Sequence, residues 1–155
     1  NLEGAQAGLS WSIVLAKRDE YKKAFRDFDI EYCLQLSDEE LEKIRQDYNV
    51  IKNSAKIKAV RSNAAAVIQL KKEFGSFSEF LWSYVDFKPV VNSWQTEGQM
   101  PAQSDLSEQI SKDLKKRGFK FVGPVIIYSF LQAIGMVDDH IKTCPQHTAN
   151  RQTVK

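Results

Sequence analysis

Apolar residues recur at helical spacing along most of the chain, and runs that alternate apolar with polar residues, as strands do, are scarce. Leu2, Leu9 and Ile13 fall on one stripe, which predicts a first helix running toward Phe25 with a break near Arg18 and Asp19. In LSDEELEKI, Ser37 precedes Glu40 by three residues and the apolar Leu41 and Ile44 follow, so a reciprocal capping box opens a helix there. Ala, Lys, Ile and Val at helical spacing predict a long helix from Ser54 to Phe74, closed at Gly75. Ser76 and Glu79 repeat the capping pattern ahead of a short helix in SFSEFLWSYV, where Phe80, Trp82 and Tyr84 read as a core stripe. Two prolines, Gly98 and several polar residues make 88–104 the longest predicted loop, joining two helical layers. Beyond it, SDLSEQISKDLKKRG is amphipathic and ends at Gly118, whereas VGPVIIYSFLQAIG is almost wholly apolar, as a central helix should be, and ends at Gly135. After Pro145 the sequence turns polar and is expected to fray.

The fold class is therefore all-α. A chain of 155 residues, 43% hydrophobic and 11% aromatic, buries one ordinary core, so a single helical domain over 1–145 with a polar tail over 146–155 is expected. The most apolar stretch, FVGPVIIYSFLQAIG, is too short and too interrupted to span a bilayer, which argues against a membrane partner. Export and import signals are not evident, and two cysteines, Cys33 and Cys144, fit a reducing compartment, so a cytoplasmic protein is expected. Cys33 reads as a buried thiol. The net charge of +2 identifies no partner, and its local distribution carries more information.

That distribution points to LKKRGFKFVGPVIIYSF. One helix stops at Gly118, a few residues turn, and Gly123-Pro124 starts another whose first backbone N–H groups lack partners. The helix dipole and the free N–H groups make such an end a site for anions, and Lys115, Lys116, Arg117 and Lys120 crowd the same turn. Composition alone leaves this open against an ordinary corner between two helices.

The spacing around Gly123 resembles the helix-hairpin-helix element of the DNA glycosylase superfamily, with a small-apolar-Gly turn, an apolar helix and an aspartate about a dozen residues on, as in FVGPVIIYSFLQAIGMVDDH. Within that superfamily LEGAQAGLSW, FLWSYV, KKRGFKFVGP and DDHIKTC, in this order from Leu2 to about Cys144, resemble the DNA-3-methyladenine glycosylase I family. The resemblance implies a helix-hairpin-helix DNA glycosylase fold and a base-excision repair enzyme. Its substrate would be double-stranded DNA with alkylated bases, from which it hydrolyses the N-glycosidic bond of 3-methyladenine after flipping the nucleotide out. It implies a monomer. Bifunctional relatives carry a nucleophilic lysine just past the hairpin, and Val125 stands at that position here, which implies a monofunctional enzyme without lyase activity.

The same resemblance assigns roles. Glu3 occupies the motif's glutamate and implies a carboxylate that accepts hydrogen bonds from the base, the alternative being a first-turn glutamate favoured by the helix dipole. Trp11 is implied in the base pocket, or is a core anchor. Gly8 and Leu9 are implied as the plug of the gap left by the flipped base, with core packing as the alternative for Leu9. Gly118, Lys120, Val122 and Gly123 are the implied phosphate-binding residues. Asp138 falls where relatives place a catalytic aspartate, against a capping role for Asp138 or Asp139. His140 and Cys144 have the spacing of two ligands on one helical turn. The family implies that they are half of a structural zinc site whose other half lies in a leader preceding LEG, and the sequence as given starts at Asn1 without it. His147 is a possible third donor. Two other classes compete with the enzyme: a noncatalytic helix-hairpin-helix DNA-binding module and an all-helical protein-interaction domain.

Overall fold

The computed structural model describes residues 1–151. Its helices are α1 (Leu2–Gln6), α2 (Trp11–Ala16), α3 (Arg18–Ala24), α4 (Ile30–Gln35), α5 (Asp38–Asp47), α6 (Ser54–Phe74), α7 (Phe77–Trp82), α8 (Asp105–Lys116) and α9 (Pro124–Ala133). Two strands of two residues each, β1 (Val90–Val91) and β2 (Val137–Asp138), pair in parallel, Val90 with Val137.

The sequence predicts one long first helix, and three short ones form. The chain leaves helical geometry at Gly8, whose φ is +74°, and Ser10 is extended before α2. The turn resets the helical phase, so the buried positions are Ala5, Val14, Tyr21 and Ala24, while Ile13 is 44% exposed. The anticipated second break falls at Lys17, between α2 and α3. Next come three consecutive left-handed residues, Arg26, Asp27 and Phe28, which carried no sequence signal. They bring Phe28 back to stack with Phe25 and Tyr21. Asp29 then starts α4 by accepting the Tyr32 N–H at 2.7 Å.

The later helices follow the sequence closely. Ser37 and Glu40 form the reciprocal box at α5, with bonds of 3.1 and 2.7 Å. Asn53 caps α6 and Gly75 ends it. At α7 only half of the second box forms: Ser76 Oγ accepts the Glu79 N–H, while the Glu79 carboxylate lies across Gly75, where a Cβ would meet it at 2.5 Å.

Because α6 runs 21 residues, about 30 Å, it serves both halves of the core. Its first half packs with α1 to α5 around Val14, Phe25, Leu41 and Ile57. Its second half packs with α7, α8 and α9 around Leu70, Phe80, Ile110, Leu114 and Leu131. Phe80 belongs to this core, with Trp82 and Tyr84 packed against it, as the core-stripe reading expects. Cys33 is buried and free, and burial raises its thiol pKa to about 11.

The segment 88–104 is mostly loop, but β1 interrupts it and ties it to the end of α9 through Val90 N–H to Met136 O (2.9 Å) and Asn92 N–H to Asp138 O (3.0 Å). The expectation of a frayed tail after Pro145 is corrected as far as Arg151. His147 is buried, with Nε2 at 3.0 Å from Asn92 O, and Thr148 donates its N–H and its hydroxyl to Asp138. The polarity of this segment reflects bonding to the buried Asp138 carboxylate and to the Asn92 carbonyl and not solvation. Residues 152–155 of that tail lie outside the described residues.

Candidate active site

The Glu3 carboxylate is the chemical anomaly of the molecule. Among the described residues, Glu3 Oε2 is buried with no hydrogen-bond partner. A carboxylate in that position loses hydration with no hydrogen bond to Oε2 in return, and burial, outweighing the attraction of the amino group of Asn1, pushes its pKa above the ordinary value. Glu3 faces a cavity of about 160 Å³ between the two core clusters, with Phe28, Phe77, Phe119, Phe121 and Phe130 in its walls. Aromatic faces around an unpartnered carboxylate suit a flat, positively charged ligand that carries N–H donors on its edge.

The same cavity reaches the hairpin between α8 and α9, for Lys120, Phe121 and Val122 also line it. Helix α8 ends in a Schellman-type turn, with Phe119 N–H to Leu114 O at 3.0 Å and Gly118 at φ +89°. Ser111, buried in α8, donates its hydroxyl to Val122 O at 2.6 Å and so fixes the far side of the turn. On α1, Gly4 lies under Phe121: a Cβ there would stand 3.0 Å from Phe121 Cβ and 3.1 Å from Phe121 O. Lys56 bonds Ala5 O (2.9 Å) and Ala7 O (2.6 Å) at the C-terminal end of α1, where a cation is favourable, and lies 5.9 Å from the Phe121 ring. The carboxylate-bearing helix and the hairpin are therefore packed as one body. Gly4→Val should lower stability by about 1–3 kcal/mol in urea denaturation, through overpacking against Phe121.

Gly123 is the N-cap of α9, with φ −61° and ψ 157°, and Pro124 follows at the first helical position. An added Cβ there meets nothing within 4 Å. Neither the local backbone conformation nor internal crowding calls for glycine, which leaves room for an external group to approach the free N–H groups of α9. The basic residues divide. Arg117 is engaged internally, paired with Glu73 at 2.6 Å and lying over the rings of Phe74 (5.0 Å) and Phe80 (5.3 Å), while Lys115, Lys116 and Lys120 are exposed. Tyr84 adds a hydrogen bond to Asp113 on α8 just before the turn.

Other sequence-derived site residues lie apart from this cavity. Trp11 is half-buried against the first core cluster and does not line it, as its reading as a core anchor anticipates. Gly8 and Leu9 form the turn between α1 and α2, held by Gln6 Nε2 to Leu9 O at 2.6 Å, with Gly8 exposed and Leu9 half-buried. Asp138 does not share the cavity with Glu3 either. One of its oxygens accepts the His140 N–H at 3.1 Å, and the other accepts both Thr148 donors and faces Arg151 at 3.7 Å. Such wiring anchors the C-terminal segment, which supports the structural reading of Asp138. No helix follows it, so the bond to His140 caps a turn.

Cys144 Sγ and His140 Nδ1 are 3.6 Å apart, close enough to share one ion. His147 is excluded as a further donor: its Nδ1 accepts the Ala149 N–H at 3.1 Å and its Nε2 meets Asn92 O. No group of three or more His, Cys, Asp or Glu among the described residues is arranged to hold a metal.

Sequence reasoning missed Asn63, Lys56 and the central role of Asp139. Asn63 carried a signal, because asparagine in the middle of a helix is unfavourable and calls for a tertiary reason. Asp139 is buried and accepts from Asn92 (2.6 Å), Trp94 (2.7 Å) and Gln132 (2.6 Å). Burial opposes its charge, yet these donors and Tyr128 hold its pKa below the ordinary value.

A predominantly helical body with a glycine hairpin beside a carboxylate-bearing aromatic cavity is the arrangement that the resemblance to the all-α DNA glycosylases implies. The methyladenine glycosylase family model matches residues 1–147, and the chain belongs to this family. It is 42% identical over 150 residues to DNA-3-methyladenine glycosylase 1 of Escherichia coli (strain K12), an alignment covering 97% of this chain and 80% of that one. A crystal structure of 3-methyladenine DNA glycosylase I superposes with a TM-score of 0.90 at 42% identity, covering 94% of this chain and 80% of that one. Another, of a variant of 3-methyladenine DNA glycosylase I in complex with 3-methyladenine, superposes with a TM-score of 0.91 at 38% identity, over 94% and 78%.

Proposed function

We propose that this protein is a base-excision repair glycosylase that removes 3-methyladenine from alkylated double-stranded DNA, with Glu3 as the base-recognising carboxylate. The observation that carries this reading is the buried, unpartnered Glu3 Oε2 facing an aromatic cavity, in a chain whose relatives bear that activity in their names. Methylation at N3 makes the adenine of a nucleotide cationic. The flipped base brings the charge and the N–H donors that the carboxylate lacks. When the C1′–N9 bond breaks, its electron pair neutralises the departing base, and water adds to C1′ and loses a proton. So good a leaving group needs little acid catalysis, and the protein's work is to hold and select the base.

The hairpin supplies the DNA contact in this reading. Gly118 and Lys120 shape and charge the turn, Val122 fixes its exit, and Gly123 with the free N–H groups of α9 receives a phosphate. Gly8 and Leu9, at an exposed turn, are the candidates to fill the gap in the duplex, and Trp11 beside them serves as the wall of the first core cluster. Val125, 49% exposed just after the hairpin, offers no amine to attack the sugar, which supports hydrolysis without strand cleavage. His140 and Cys144 would supply two of four ligands to a structural zinc ion, with no part in the chemistry. The free thiols of Cys33 and Cys144 suit a reducing compartment such as the cytoplasm.

Free 3-methyladenine should bind the protein and perturb the Glu3 resonances, whereas adenine should compete poorly; equal affinity for both would count against the pocket. Gly123→Val should weaken binding to any duplex and reduce its salt dependence, while changing stability by less than about 1 kcal/mol, since the added side chain points into open space. Duplex binding indifferent to this substitution and to salt would remove the hairpin from the account.

A further inference from the structure

Asn63 sits midway along α6, where no local hydrogen bond rewards an asparagine, and its side chain is fully occupied at a distance. Its Oδ1 accepts the Lys120 N–H at 2.8 Å, and its Nδ2 donates to Lys120 O at 3.3 Å and to Asn1 Oδ1 at 3.2 Å. One amide thus pairs with both backbone groups of one residue at the tip of the hairpin, as a neighbouring strand would. The same side chain lines the cavity that Glu3 faces. Phe121, the next residue, is held in a left-handed conformation at φ +56° and packs onto Gly4, beside Glu3. A turn with a non-glycine residue in that conformation needs outside support.

We propose that Asn63 is a positioning residue for base excision: its amide clamps the Lys120 peptide so that the phosphate-holding hairpin and the Glu3 helix keep a fixed spacing. The clamp rests on the reading of the hairpin and of Glu3 given above. DNA gripped at the hairpin then presents the flipped base at one distance from the carboxylate, and loosening the turn by an ångström degrades that placement more than it degrades the grip, which depends on charge and free N–H groups.

The test separates binding from excision. With enzyme saturating over methylated duplex, Asn63→Ala should release 3-methyladenine roughly 10- to 100-fold more slowly in a single turnover. Its affinity for undamaged duplex should stay within about threefold of the parent, and the Lys120 amide should lose its hydrogen-exchange protection. Asn63→Asp keeps the acceptor for Lys120 N–H but sets an oxygen against Lys120 O, so it guards against misfolding of the alanine variant, and its rate should also fall at saturation. An unchanged rate in both variants, or a rate and a DNA affinity that fall in proportion, overturns the clamp. If Gly123→Val weakens duplex binding as expected while Asn63→Ala excises normally, the clamp alone is wrong. If Gly123→Val has no effect on binding, the hairpin reading fails and the clamp falls with it.

Discussion

Glu3→Gln is expected to cut release of 3-methyladenine by about 100-fold or more while leaving the protein as stable as the parent, or more so. The loss follows from exchanging the charged acceptor that faces the cavity for a neutral amide that can turn either edge to the base. The stability effect follows from burial. A carboxyl whose pKa is raised in the folded state binds its proton more tightly there than in the unfolded chain, so its ionisation opposes folding above that raised pKa. The glutamine variant escapes this penalty. Its Tm advantage should be largest at neutral pH and should shrink as pH falls through the raised pKa of Glu3, where the parent becomes protonated. A variant that loses stability and activity together would make Glu3 a structural residue. Duplex affinity should change little, because Glu3 lies in the cavity and not on the basic turn.

Asp139→Ala is expected to have the largest effect on folding, about 3–5 kcal/mol of destabilisation in urea unfolding at pH 7. It strands the donors of Asn92, Trp94 and Gln132 and removes the side-chain ties of the loop 88–104 to α9, leaving the backbone bonds of β1. Asp139→Asn should cost less, since it keeps an acceptor. The acid side of the stability profile carries a second signature. With its folded pKa below the ordinary value, Asp139 stabilises fully above the unfolded carboxyl pKa, and that contribution is lost as pH falls through the folded one. The asparagine variant should show a correspondingly flatter acid limb, and an acid limb identical to the parent's would contradict this assignment.

These residues also mark how far the sequence could be read. Capping boxes and terminal glycines placed α5, α6, α8 and α9 because their signals are local: Ser37 with Glu40 needs only one turn of chain to act. The first helix was misjudged because Gly8 shifts the helical phase, and a periodicity spanning a left-handed residue has no geometric meaning. Glu3 was legible through its motif, whereas its lack of a partner is a property of packing that no spacing reveals. Asp139 stands beside Asp138 in the sequence with a capping role as its local expectation, yet its partners lie on a loop and a helix more than forty residues and seven residues away. The tail looked frayed because polar residues are read as solvated until the buried carboxylate that receives them, Asp138, is known. Asn63 was passed over within a run of helix formers, although its low propensity there was the clue.

The central claim, that this chain selects and removes a methylated purine through Glu3, is tested most directly by incubating the purified protein with duplex DNA methylated in vitro and identifying the free bases released. The account predicts 3-methyladenine as the released base, a strand that stays intact until the abasic sites are cleaved by alkali, and loss of the product with Glu3→Gln at unchanged duplex binding. Tight duplex binding by the parent with no free base released would contradict it and would leave a noncatalytic DNA-binding module in its place.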